Sequence, residues 1–474
     1  MILPFGEWTP DVEGLSVKGL TVAENCVPGP DGYGPLNSLS DVTNALTAKC
    51  VGAAWFADKT GTVKVYAGDA TKLYSLSGAT WSNVSKSGNY TGGTNWEFAL
   101  WGDRCIAVDP SINPQYIDMS TGTLFADLPG SPPKAARIAV VGDFIVLGDL
   151  ESKPNWVRWS GFNASELWTA SMATQSDSQE LFGRGGKVQK IIGGNVGVIF
   201  QEHSIRLMTY EGPPRIFRID EVEVDSGTPA GNSVVPVGAR IFYYGWDGFR
   251  MYSPGAGSQP ISDNKVTQWL QDNCPDVTTI RGVSDREAQR VIWSFSTGSS
   301  NADRVIIYDW SLNRWSYGKV DTEILFEFAS PGYTLDTIDT IVPDIDAATL
   351  SFDDRFFLGG AISVGAFTTS HKAATFTGNP LTATLETGEM QSDRRLFINR
   401  MRPLVTGYGS MTAQIASRPT LASVAAFGGA STLNETGEFT TRANSRYHTF
   451  RVTISGGFDR AMGLDVNAVP EGNR

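Results

Sequence analysis

The sequence predicts an all-β protein, a β-propeller joined to a C-terminal β-sandwich, on the strength of three observations. From about Cys50 to Phe376, short β-prone runs alternate with Gly, Asp or Asn turns, as hairpins in series do. Such units recur roughly every 40 to 60 residues, the range of a four-stranded propeller blade. Past Leu381 the texture changes to longer strands of alternating polarity. The 51 glycines and 24 prolines of the 474 residues follow no Gly-X-Y period, so they read as turn residues among many short elements.

Residues 1–50 read as an N-terminal arm that joins the C-terminal domain. Residues 51–376 read as the propeller. Its hairpins include Thr62-Val-Lys-Val-Tyr-Ala before Gly68-Asp69, and Lys72-Leu-Tyr-Ser-Leu before Ser77-Gly78. Another joins Ile241-Phe-Tyr-Tyr to Phe249-Arg-Met-Tyr through Asp247-Gly248, a dipeptide whose glycine accepts positive φ. Units near Trp55, Phe98, Ile138, Ile191, Ile241, Ile292 and Phe356 imply five to seven blades. No WD dipeptide recurs and the Asp boxes of sialidases are absent, so the repeat is degenerate. Radial closure leaves few exposed edges among so many strands.

One helix is expected, capped by Ser262-Asp263, with Val266, Trp269 and Leu270 on a single face. Residues 381–474 read as the sandwich. In Arg446-Tyr-His-Thr-Phe-Arg-Val-Thr-Ile, His448, Phe450, Val452 and Ile454 alternate with polar neighbours. Before it, Pro331 to Asp354 carries Asp336, Asp339, Asp344, Asp346, Asp353 and Asp354 with no basic residue, an exposed acidic connector.

The search for chemistry returns no catalytic set, no cofactor motif and no metal trio. His203, His371 and His448 stand apart from any nucleophile motif. Cys26, Cys50, Cys105 and Cys274 lack zinc or disulfide spacing and read as buried free thiols. Gly183-Arg-Gly-Gly-Lys187 resembles a phosphate loop but has Val188 where Ser or Thr is required, so it reads as a turn. Asp344, Asp346, Asp353 and Asp354 offer hard oxygen ligands for Ca²⁺ without the EF-hand pattern, and a solvated acidic surface is preferred. Trp156, Trp159, Trp168, Trp310 and Trp315 read as blade core rather than a stacking platform. The Asn-x-Ser/Thr matches at Asn83, Asn163 and Asn434 carry little weight, because the opening residues show no export signal. Apolar runs are too short to span a membrane. The net charge of −12 argues against gripping DNA through its phosphates.

Several segments resemble the tail nozzle, or packaged DNA stabilisation, proteins of short-tailed bacteriophages. They are Phe5-Gly-Glu-Trp-Thr-Pro-Asp11 with Asn25 and Gly32-Tyr-Gly-Pro-Leu36, then Pro133 to Gly148, Val157-Arg-Trp-Ser-Gly161 with Trp168, Ser204 to Gly212, and Ile307 to Ser316. Tyr333 to Asp339, Leu350 to Asp354 and Leu385-Glu-Thr-Gly388 are similar to the acidic crossover and first terminal-domain strand of such proteins.

The resemblance implies a non-enzymatic virion protein that assembles in the host cytoplasm as a sixfold ring, a hexamer, in the phage tail. It implies a tail adaptor protein above, and tail fibre, tailspike or needle proteins as neighbours. Double-stranded DNA would pass through without sequence-specific binding, retained in the head and then guided out. The six aspartates from Asp336 to Asp354 are one candidate for a channel-facing or partner-facing segment, beside the preferred reading as a solvated outer loop. The alternative is a sugar-binding or glycoside-processing propeller, which requires carboxylates and tryptophans converging in one cleft.

Overall fold

A computed structural model describes residues 1–16, 19–329 and 362–471. The chain is all-β, 58% strand and 3% helix. The acidic segment and all six of its named aspartates lie outside the described residues, as does Phe356, the last of the seven expected repeat marks.

Seven four-stranded antiparallel arrays follow one another along the chain. Their first strands are Gly52–Ala57, Glu97–Trp101, Ala135–Val141, Val188–Ile192, Val235–Val237, Arg281–Asp285 and Ile324–Ala329. Each of the first six is completed by the next three strands in sequence. The seventh takes its outer strand from the other end of the chain. Ser40–Ala45 pairs with Lys372–Thr375, Ser40 lying opposite Thr375 and Asp41 opposite Ala374.

Alternation within the strands gives each sheet two apolar faces, and these bury against the sheets before and after it. Tyr66, Leu73, Trp96, Cys105 and Phe125 fill the space between the first and second sheets. Ile106, Ile138, Ile145 and Leu147 pack the second on the third, and Val146, Trp159, Ile199 and Met208 the third on the fourth. Phe200 and Tyr243 join the fourth to the fifth, Phe242, Phe249 and Trp293 the fifth to the sixth, and Ile292, Val305 and Leu325 the sixth to the seventh. The order then returns to its start, because Phe326, Phe328 and Phe367 of the seventh pack on Val65 and Tyr74 of the first. Each fully buried aromatic or aliphatic side chain contributes about 1.5–3 kcal/mol. Approach is close enough to demand glycine at residue 68, where a Cβ would lie 2.3 Å from Trp96 Cδ1.

The hairpin expected around Asp247-Gly248 forms one residue earlier. Gly245 pairs with Gly248, leaving Trp246 and Asp247 as the two loop residues. The helix runs Thr267–Asn273, with Val266 and Leu270 buried. Its expected cap is corrected by the structure. The Ser262 hydroxyl serves the backbone N–H of Phe249 instead, and the cap comes from Asp11.

The other strands form a second body from both ends of the chain. Ile2–Pro4 pairs with Arg460–Pro470, and Leu20–Glu24 with Ala383–Thr387. Two 17-residue strands, Met390–Thr406 and Phe439–Ser455, span this body. Along Phe439–Ser455, His448, Phe450, Val452 and Ile454 are buried, in the expected alternation, against Met411, Ala413, Ile398 and Leu464. The first 50 residues therefore divide: those up to Pro35 pair with this body or lie beside it, and Ser40–Ala45 belongs to the seventh sheet. Trp8 ties the second body to the sheets, packing edge-on against Trp269 at 4.9 Å and against Tyr317 at 5.0 Å.

Candidate functional site

The first strands of successive sheets pack side by side, except that the turn Gly231–Ser233, and not the first strand of the fifth sheet, packs on the first strand of the fourth; the seventh packs back on the first. Several of them place one charged residue at or near their start: Glu97, Arg137, Lys190, Arg281 and, just before the seventh, Glu323. Four of these meet in a single network. The Glu97 carboxylate accepts from Arg137 Nη1 at 3.2 Å, from Lys190 Nζ at 3.1 Å, and from the backbone N–H of Ile138 at 3.2 Å. Arg137 Nη1 also donates to Asn232 Oδ1 at 3.0 Å. Asn95 Oδ1 accepts from both Asn232 Nδ2 and Arg281 Nη2, at 3.2 and 2.9 Å.

Asn95, Asn232 and Arg281 line two cavities at once, so this layer divides the space between the first strands. One cavity of about 470 Å³ takes Glu97 and Lys190 into its wall. The other, of about 390 Å³, is lined by Arg137 and by residues including Thr278, Thr279 and Ser294. Glu323 is engaged elsewhere: its side chain is 1% exposed and accepts from the Cys50 backbone N–H at 2.8 Å, with His371 Nδ1 at 2.6 Å.

Burial alone would raise the Glu97 carboxyl, but Lys190 and Arg137 outweigh it and hold the group below its ordinary range. Burial pushes the Lys190 ammonium down against the pull of Glu97, and pushes the Arg281 guanidinium down to about 10. Two cations thus bond one carboxylate, and a third, Arg281, is held beside them by Asn95. The arrangement suits an anion and opposes general-acid chemistry at Glu97, which would need a raised pKa.

Other residues singled out in the sequence are dispersed. Trp159, Trp168 and Trp315 are buried in the core, Trp310 stacks on Phe242, and Trp156 lies under Lys153 Nζ. His203 stacks on Trp246 at 5.2 Å, and buried His448 bonds the Ser445 carbonyl. All four cysteines are free and buried. Gly183 to Lys187 forms a connection into the fourth sheet. Glu97, Arg137, Lys190 and Arg281 were not singled out. Their signal is a charge set within or at the edge of an apolar run, as in Trp96-Glu97-Phe98 and Ala136-Arg137-Ile138.

No family model and no curated protein matches the sequence. Among solved structures, the chain is similar to the extracellular domain of the proposed hybrid two-component system BT4673 of B. thetaiotaomicron, at 11% identity and a TM-score of 0.42, over 86% of this chain and 47% of that one. It spans about half the length of that protein. It is also similar to BBS1N, solved in complex with ARL6DN, at 11% identity and 0.41 over 72% of this chain and 96% of that one. The computationally designed Ika8 protein matches at 11% identity and 0.40 over 78% and 99%.

Proposed function

We propose that the chain is a structural subunit of a short-tailed phage tail, a nozzle protein that forms a ring around the DNA exit channel, retains the packaged genome and guides its ejection. In this reading the seven sheets are the blades of a propeller, and the second body is a β-sandwich platform through which copies meet. The cyclic order of the inter-sheet cores supports the propeller.

The observation that carries the reading is how one body is inserted in the other. The chain leaves the second body at Leu36 and re-enters at Leu381, and the two crossings bond to each other. Leu381 N–H donates to the Leu36 carbonyl at 2.8 Å, and Ser38 N–H to the Asn379 carbonyl at 2.9 Å. This paired neck is reinforced where Leu20–Glu24 of the second body pairs with Arg314–Thr322 of the sixth sheet, Glu24 opposite Tyr317, so the inserted body is held at a fixed attitude. A wall subunit needs that rigidity. Heterologous contacts between such platforms close only around a rotation axis, which is how a ring arises.

Native mass measurement and negative-stain images of the purified protein, alone and with a tail adaptor, test this. A closed ring with an axial opening is expected, six copies for the hexamer; a protein that stays monomeric in both conditions overturns the reading. A second reading, a propeller binding a sugar or other small ligand, draws on the cavities between the first strands. A glycoside-processing form of it would need a protonated carboxylic acid, and Glu97 is shifted the opposite way.

A further inference from the structure

The geometry points to a binding site for a small oxyanion, of the phosphate or sulfate class, between Arg137 and Arg281 in the 390 Å³ cavity. All of its lining comes from one chain. Three lines of physical reasoning converge on it.

Charge is the first. Arg137, Lys190 and Arg281 are bound into one network whose sole carboxylate is Glu97, so two positive charges stand in excess. Adding the remaining charged side chains of the cavity, Lys49 and Glu323, leaves that excess unchanged. Burying cations without counter-charge is costly, and a fold that retains them gains by admitting an anion.

The second is an unspent donor. Arg137 is 8% exposed, and its Nε is buried with no acceptor among the described residues. Its Nη1 is already shared between Glu97 and Asn232, while Nη2 bonds no acceptor among the described residues and is not closed off as Nε is, so Nη2 is the donor left to a ligand. The third is preorganisation. Asn232 fixes Arg137 and Asn95 fixes Arg281, while Asn95 and Asn232 bond each other, so both guanidinium groups are held before any ligand arrives. Guanidinium forks match the oxygens of a tetrahedral oxyanion, which a point charge does not.

The test is calorimetric titration of the full chain with inorganic phosphate and with sulfate, chloride keeping the ionic strength constant. Saturable binding of one oxyanion per chain is expected. Arg281→Gln should weaken it at least tenfold. Asn232→Asp, which places a carboxylate beside Arg137, should abolish it, and Lys59→Ala, at an exposed lysine, should leave it unchanged. Absence of saturable binding to either oxyanion overturns the proposal, as does wild-type affinity in both cavity variants. Should those variants not fold, a structure of the wild-type protein soaked in phosphate decides. Density for the oxyanion on Arg137 Nη2 and Arg281 supports the site, and a water molecule alone at that nitrogen rejects it.

Discussion

Asp11 caps Trp269 from 258 residues away: its carboxylate oxygens accept from the backbone N–H groups of Gln268 and Trp269, both at 2.8 Å. These are the orphan donors of the first turn of Thr267–Asn273, which a local cap would satisfy. Asp11→Ala should cost about 1 kcal/mol of stability by the usual worth of a cap. Asp11→Asn, which keeps an acceptor, should cost less. Urea denaturation followed by tryptophan fluorescence measures both, and an unchanged midpoint in Asp11→Ala would show that the helix starts without it.

Much of the sheet architecture was legible because the repeat is local. Trp55, Phe98, Ile138 and Ile191 all fall in first strands, whereas Ile241 and Ile292 fall in second strands. The drift at the fifth sheet has a cause: its first strand, Val235–Val237, has three residues and a central proline, so the apolar signal sits in the strand that follows. A finer period was also present. Asp69, Asp109 and Asp149 stand 40 residues apart, each at or next to the end of a second strand. Two features could not be read. Ser-Asp-Val-Thr-Asn-Ala looks like a polar loop, and only pairing with a strand some 330 residues away makes it an edge. The cation cluster draws one residue from each of several strands, so no linear motif records it.

Asp69 shows what the 40-residue period does. Its carboxylate accepts from the N–H groups of Thr71 and Lys72 at 2.6 and 2.7 Å, and from the Tyr74 hydroxyl at 2.7 Å. Burial opposes the charge, but the Tyr74 and Thr71 bonds prevail and lower the pKa. Since the folded value lies below the unfolded one, the stabilisation is present above the unfolded pKa of about 4 and is lost as pH falls through the folded value. Asp69→Asn should destabilise the protein by about 1–3 kcal/mol at neutral pH, the cost of unmaking such bonds. It should also flatten the fall in stability as pH drops below the ordinary carboxylate range of about 4. Thermal midpoints across that range test it, and parallel curves for variant and parent would remove Asp69 from the acid response.

Glu97 offers a second titration with the same sign. Its carboxyl is held low by Lys190 and Arg137 against burial, so its contribution too disappears as pH drops below the ordinary carboxylate range. Glu97→Gln keeps the shape but leaves Arg137, Lys190 and Arg281 without their carboxylate. The loss should be about 3–5 kcal/mol, as when one partner of a buried ion pair is removed. Added sulfate should restore part of that loss in Glu97→Gln more than it stabilises the parent. Chemical denaturation with and without sulfate at constant ionic strength measures the difference; equal effects on the two proteins would count against coupling between Glu97 and the cation cluster.

Closure of the sheet series rests on a strand from the start of the chain, and Thr43 is its most informative residue. The Thr43 hydroxyl oxygen accepts from the backbone N–H of Ala373 in the seventh sheet and from Trp81 Nε1 in the first, both at 3.0 Å. The neighbouring Asn44 extends the contact, its side chain accepting from the Trp81 N–H at 3.1 Å. One oxygen thus pins the last sheet to the first. Thr43→Val preserves volume and β propensity but leaves two buried donors unpaired, at about 1–3 kcal/mol each. Thr43→Ser keeps the acceptor and should recover most of that. Hydrogen exchange should quicken in Thr80–Asn83 and Lys372–Thr375 before it does in the third or fourth sheet, because opening begins where the seventh sheet meets the first. Uniform exchange across all seven sheets in Thr43→Val would show that closure does not depend on this strand.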